Sequence, residues 1–152
     1  MKYGVIDIGS NSVRLMLADE NKTLYKSVKT TRLAEGMGEE LSLKAGPIER
    51  TAHAVSFFKE QALSDGANKV FAFATASVRQ ACNSNEFLIA VKNACGINVE
   101  VVSGQMEATL GAKGALNGKD GAIIDVGGAS TEISVIEIKR HIFSPATIIN
   151  IQ

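Results

Sequence analysis

The sequence predicts an α/β protein: one domain on a mixed five-stranded sheet whose first three strands are antiparallel, followed by the opening strands of a second, similar domain. Three observations lead there. The N-terminal third alternates apolar and polar residues as strands do, and the middle alternates helix-period stretches with short apolar runs. The stretch Tyr3–Asp19, YGVIDIGSNSVRLMLAD, recurs as Gly121–Glu137, GAIIDVGGASTEISVIE. A polar, glycine-rich break, Asn117-Gly118-Lys119-Asp120-Gly121, precedes the second copy, so the domains are expected to span 1–117 and 118–152.

The first stretch reads strand, tight polar turn, strand. Val5, Ile6 and Ile8 run into Asp7 and Gly9, Ser10-Asn11-Ser12 make the turn, and Val13, Leu15 and Leu17 alternate on the way out. A carboxylate at the end of a buried strand, followed by small polar residues, can gather backbone N–H groups and hydroxyls around an anion. In the second copy Asp125 stands under Asp7, Gly127 under Gly9 and Ser130 under Ser12. The spacing is no solenoid period and suggests two related halves with a ligand held between two glycine- and serine-rich turns.

Taken in order, Glu20-Asn21-Lys22 is a turn, and Thr23–Leu33, rich in β-branched residues, is a third antiparallel strand. Ala34-Glu35-Gly36-Met37-Gly38 is a glycine loop, with Arg32 and Glu35 read as a surface ion pair. Pro47 starts a helix whose inward face is Ile48, Ala52, Val55, Phe58 and Ala62, and Asp65-Gly66 ends it. His53 lies beside that face and reads as a surface or packing residue. Lys69–Ala74 is a short buried strand, expected to be parallel, with Thr75–Arg79 at its C-terminal end, where open α/β sheets place ligands. Asn83-Ser84 offers a cap for a helix carrying Phe87, Leu88, Val91, Ala94 and Cys95 inward, closed by Gly96. Val99–Val102 is the next strand, Gln105 to about Leu116 a helix, and His141–Ile149 a last strand after the repeated pair.

Composition narrows the function classes. With 45% hydrophobic residues and zero formal net charge, the chain can bury one core and has no basic field for bulk nucleic-acid binding. The two cysteines, Cys82 and Cys95, lack paired metal spacing and read as small buried hydrophobes in a reducing compartment. Met1-Lys2 leads straight into a strand and no apolar run approaches the ~20 residues that span a bilayer, so a cytoplasmic protein is expected.

The segments Asp7-Ile8-Gly9-Ser10-Asn11-Ser12, Ala74-Thr75-Ala76-Ser77-Val78-Arg79, Ser103-Gly104-Gln105-Met106-Glu107-Ala108 and Asp125-Val126-Gly127-Gly128-Ala129-Ser130-Thr131-Glu132 occur in that order. Together they resemble the exopolyphosphatase and guanosine pentaphosphate phosphatase family, a branch of the ribonuclease H-like, actin, Hsp70 and sugar kinase superfold. The resemblance covers nearly the whole chain and implies a first actin-like ATPase domain plus the start of the second. The expected reading is a piece of a longer protein; the other is that the last strands pair with a second copy in a homodimer.

The resemblance implies hydrolysis of a terminal phosphoanhydride of polyphosphate or of guanosine pentaphosphate, with magnesium as cofactor and neither membrane nor nucleic acid as partner. Gly9, Ser10, Asn11 and Ser12, with Gly127, Gly128, Ala129 and Ser130, would hold phosphate oxygens, and Arg79 would neutralise charge. Asp125 and Glu132, with Asp7, would hold the metal. Glu107 would position or deprotonate the attacking water; the plain alternative is a carboxylate favoured by its helix's dipole. The chain departs from the family at Gln105 and Met106, where acids are usual, and at Ala129, where a glycine is usual. Two other readings are a nucleotide-binding ATPase or kinase of the same superfold and a catalytically silent phosphate-binding domain.

Overall fold

The computed structural model describes residues 1–116, 119–126, 131–136 and 147–151, with side-chain surroundings as far as residue 124. The chain divides into two compact units, Met1–Val101 and Val102–Gln152.

The first unit holds a five-stranded sheet. β1 (Lys2–Ile8), β2 (Ser12–Asp19) and β3 (Thr23–Thr30) form an antiparallel meander, and β4 (Lys69–Ala74) and β5 (Val99–Val101) add in parallel on the other side of β1, giving the order β3-β2-β1-β4-β5. α1 (Ala45–Ser64) links β3 to β4; α2 (Ala76–Gln80) and α3 (Ser84–Cys95) link β4 to β5. The strands alternate as the sequence demands: Ile6, Ile8, Val13, Leu15 and Leu17 are buried with Val55 and Phe58 of α1 and Phe87 and Val91 of α3 in one core. Asp7 and Arg14 face each other across the β1–β2 ladder, so both positions lie on the opposite side of the sheet from that core.

Local boundaries differ from the sequence reading in instructive ways. β3 stops at Thr30 rather than Leu33, because Arg32 adopts a left-handed conformation (φ 50°) that no ladder can continue. α1 begins at Ala45, with Pro47 inside the first turn, where a missing N–H costs nothing. Asn83 makes no side-chain cap for α3; its amide instead accepts from the Leu43 N–H (2.9 Å) and donates to the Leu43 carbonyl (3.0 Å), fastening the long loop before α1. Glu35 pairs with Arg50 of α1, at 2.7 Å, rather than with Arg32. Cys82 is exposed and Cys95 half-buried, so neither is the buried hydrophobe expected; His53 is exposed, as read.

In the second unit, α4 (Gly104–Leu116) packs on β6 (Gly121–Val126) and β7 (Thr131–Ile136), and β8 (Thr147–Ile151) pairs antiparallel with β7. The sequence reading placed α4's residues in the first domain; here they group with the strands that follow. Of the last expected strand, residues 141–146 lie outside the described residues. Among the described residues, no helix is long and apolar enough to cross a membrane.

Candidate functional site

Each unit presents one Asp-x-Gly hairpin. In the first, β1 and β4 are parallel with Ile8 opposite Ala74, so the Gly9 turn and Thr75 emerge at the same edge of the sheet. The Thr75 N–H donates to the Ile8 carbonyl at 3.2 Å, fastening the start of α2 to the end of β1. This is the C-terminal edge of the parallel strands, where there is no further ladder and α/β sheets leave a crevice. Asp7, the turn and the Thr75–Arg79 segment are thus brought together. Arg79 is half-buried in α2, its N–H bonded to the Thr75 carbonyl at 3.0 Å. Ser77, 1% exposed, has a buried hydroxyl without a hydrogen-bond partner.

The turn itself is tightly built. The Gly9 N–H donates to the Ser12 carbonyl at 3.0 Å, so of the four residues expected to offer backbone donors, Gly9 already spends its own. A Cβ on Gly9 would sit 3.3 Å from the Ser12 oxygen, a tight contact that the turn would have to relieve by a few tenths of an ångström. The carbonyls of the turn are also engaged: Ser10 accepts from the Ala34 N–H at 3.0 Å, and Asn11 accepts from the Thr31 and Arg32 N–H groups at 3.0 and 2.9 Å. Among the described residues, the N–H groups of Ser10 and Asn11 have no protein acceptor. Two donors at the tip of a turn can serve an anion.

In the second unit Glu107 is half-buried in the first turn of α4, whose N-terminus is capped by Ser103: its hydroxyl accepts from the Met106 N–H at 3.2 Å. Met106, standing where an acid would reach back to close a capping box, leaves the cap one-sided. Asp125 and Glu132 are directly opposite each other in the β6–β7 ladder. Their ladder positions match those of Asp7 and Arg14 in the first hairpin. Gly127, Gly128, Ala129 and Ser130 lie outside the described residues. Among the described residues there is no group of three or more His, Cys, Asp or Glu side chains able to hold a metal.

The sequence reading missed the contacts that the 31–35 segment makes with this site. No local signal marks them: Glu35 and Arg50 are 15 residues apart and belong to a loop and a helix.

Comparison with known proteins follows the same lines. A model of the Ppx/GppA phosphatase family matches residues 17–145. Among solved structures, the Aquifex aeolicus PPX-GPPA enzyme is 31% identical with a TM-score of 0.77, over 99% of this chain and 52% of that one. An exopolyphosphatase from Cytophaga hutchinsonii, 24% identical, has a TM-score of 0.84 over 99% of this chain and 51% of that one. The ROK hexokinase from Thermus thermophilus shares the fold alone, with 17% identity and a TM-score of 0.54 over 90% of this chain and 47% of that one. The chain therefore spans about half the length of the structures it matches.

Proposed function

Because this chain belongs to the Ppx/GppA phosphatase family, we propose that it supplies one half of a site that hydrolyses a terminal phosphoanhydride, of polyphosphate or of guanosine pentaphosphate. The observation that carries this reading is the pair of Asp-x-Gly hairpins with acidic residues at equivalent ladder positions, Asp7 in one and Asp125 in the other. Phosphoryl transfer asks a protein for alignment and charge neutralisation more than for covalent chemistry.

In this mechanism the Ser10 and Asn11 N–H groups and the Ser12 hydroxyl hold phosphate oxygens; the family resemblance gives Gly127, Gly128, Ala129 and Ser130, which lie outside the described residues, the same role. Arg79 neutralises charge on the group in transfer. Glu107 takes a proton from water as its oxygen bonds to the terminal phosphorus; the bridging P–O bond breaks, leaving orthophosphate and a chain one phosphate shorter. A hard cation suits the acidic pair Asp125 and Glu132, which the ladder register sets opposite each other, because like charges at facing positions repel and a cation would relieve them. Asp7 has Arg14 opposite, so it is the weaker candidate for direct ligation. Magnesium held there would supply further charge neutralisation.

The intact protein, assayed for phosphate release from polyphosphate, guanosine pentaphosphate and ATP, tests this reading. E107Q is expected to lower turnover on the order of 10²–10⁴-fold with substrate binding retained, and chelation of divalent cations to abolish it. Unchanged turnover in E107Q removes Glu107 from its role. Hydrolysis of ATP alone favours the ATPase reading.

A further inference from the structure

The donors at the tip of the first hairpin are aimed by residues far from it in sequence. A trans peptide unit points its C=O and N–H in opposite directions. The Ser10 carbonyl and the Asn11 N–H belong to one unit, the central one of the Gly9–Ser12 turn. That is the unit whose rotation interconverts the common turn types, so its N–H direction is not set by the hairpin alone. The Ala34 N–H holds the Ser10 carbonyl, and the Thr31 and Arg32 N–H groups hold the Asn11 carbonyl. The Asn11 N–H is thereby turned away from the 31–34 segment, and rotation of its peptide plane is opposed by a bond that would have to break.

What holds the 31–34 segment is a guanidinium from α1. Arg50 donates through Nε to the Thr31 carbonyl at 2.8 Å and through Nη2 to Glu35 Oε2 at 2.7 Å, while the Glu35 N–H bonds back to the Arg32 carbonyl at 2.9 Å. One planar fork thus bridges both ends of a segment that contains a left-handed residue, Arg32, an arrangement a lysine cannot copy. As a surface ion pair, 46% and 52% exposed, the Arg50–Glu35 contact would add little stability by itself.

We infer that Arg50 is a positioning residue of the anion-binding turn: through the Thr31–Ala34 backbone it keeps the tip's peptide plane in the orientation that presents the Asn11 N–H to phosphate. The inference rests on the phosphate-binding role proposed above for this turn. Its test is the binding of inorganic tripolyphosphate to the intact protein, measured by calorimetry well below the melting temperature of each variant. R50A is expected to bind about tenfold more weakly, with faster hydrogen exchange at the Thr31 and Ala34 amides. R50K, which reaches one acceptor but not both, is expected to fall between R50A and the parent and carries the test if R50A does not fold. E35Q keeps an acceptor oxygen for Arg50 and is expected to stay within about twofold of the parent. Parent-like binding by R50A or, should that variant not fold, by R50K overturns the inference and leaves the phosphate-binding turn standing, even if the melting temperature falls. Absence of tripolyphosphate binding by the parent overturns the phosphate reading of the turn, and the positioning role with it.

Discussion

Asp19 closes the β2–β3 hairpin through one carboxylate oxygen, which accepts from the Asn21 N–H at 2.8 Å and the Lys22 N–H at 2.9 Å. These bonds hold its pKa below the usual aspartate range, with the Asn21 bond the larger cause and the Lys22 bond next. A carboxylate depressed on folding stabilises the folded hairpin above its unfolded pKa, and that contribution is lost as pH falls through the lower, folded value. Hydrogen exchange at Asn21 and Lys22 is therefore expected to lose protection below the usual aspartate pKa, and D19N to lack that acid step. The turn itself was legible, because Glu20-Asn21-Lys22 is local chemistry. The partner of Glu35 was not: the nearest arginine in sequence, Arg32, has its backbone in the left-handed region, and the carboxylate is taken by Arg50 of α1.

At the scale of elements, α1 lies against β1 because Gly4 has no side chain. A Cβ there would stand 2.8 Å from the Ala62 Cβ and 3.4 Å from Val70 Cγ2. Neither neighbour is the end of a flexible chain, so G4A forces helix and strand apart and is expected to cost about 1–3 kcal/mol, read as a lower denaturant midpoint with an unchanged m-value. Helix identity was readable from periodicity, as the buried line Ile48, Ala52, Val55, Phe58 and Ala62 confirms. The end of α3 was readable too, since Gly96 takes the left-handed conformation (φ 71°) that favours glycine after a helix. The start of α3 was readable as a position, with Asn83 just before Ser84, but the bonding there was not: the Asn83 amide is shared between the Leu43 backbone, 40 residues away, and the Glu86 carboxylate, and makes no cap bond to the helix N–H groups.

At the scale of the molecule, the sheet order β3-β2-β1-β4-β5 brings the first hairpin and the Thr75–Arg79 segment to one edge. Glu107 and the second hairpin belong to the other unit. A polypeptide limited to these 152 residues carries about half the length of the structures it matches, so it is expected to release little or no phosphate by itself. A phosphate-release assay on that polypeptide decides the matter; robust turnover would place the whole reaction centre within these residues.

Although Ala94, expected on the inward face of α3, is exposed, residue order alone was enough for the main strands and helices, for the core positions of β1, β2 and α1, and for the repeated Asp-x-Gly pattern. Each depends on periods of two or 3.6 residues, or on turn chemistry that acts over a few positions. It took the folded chain to show that α1's Arg50 fastens the 31–35 segment and that this segment grips the hairpin's carbonyls. Those are contests among donors and acceptors distant along the chain, and proximity in the folded sheet settles which of them meet.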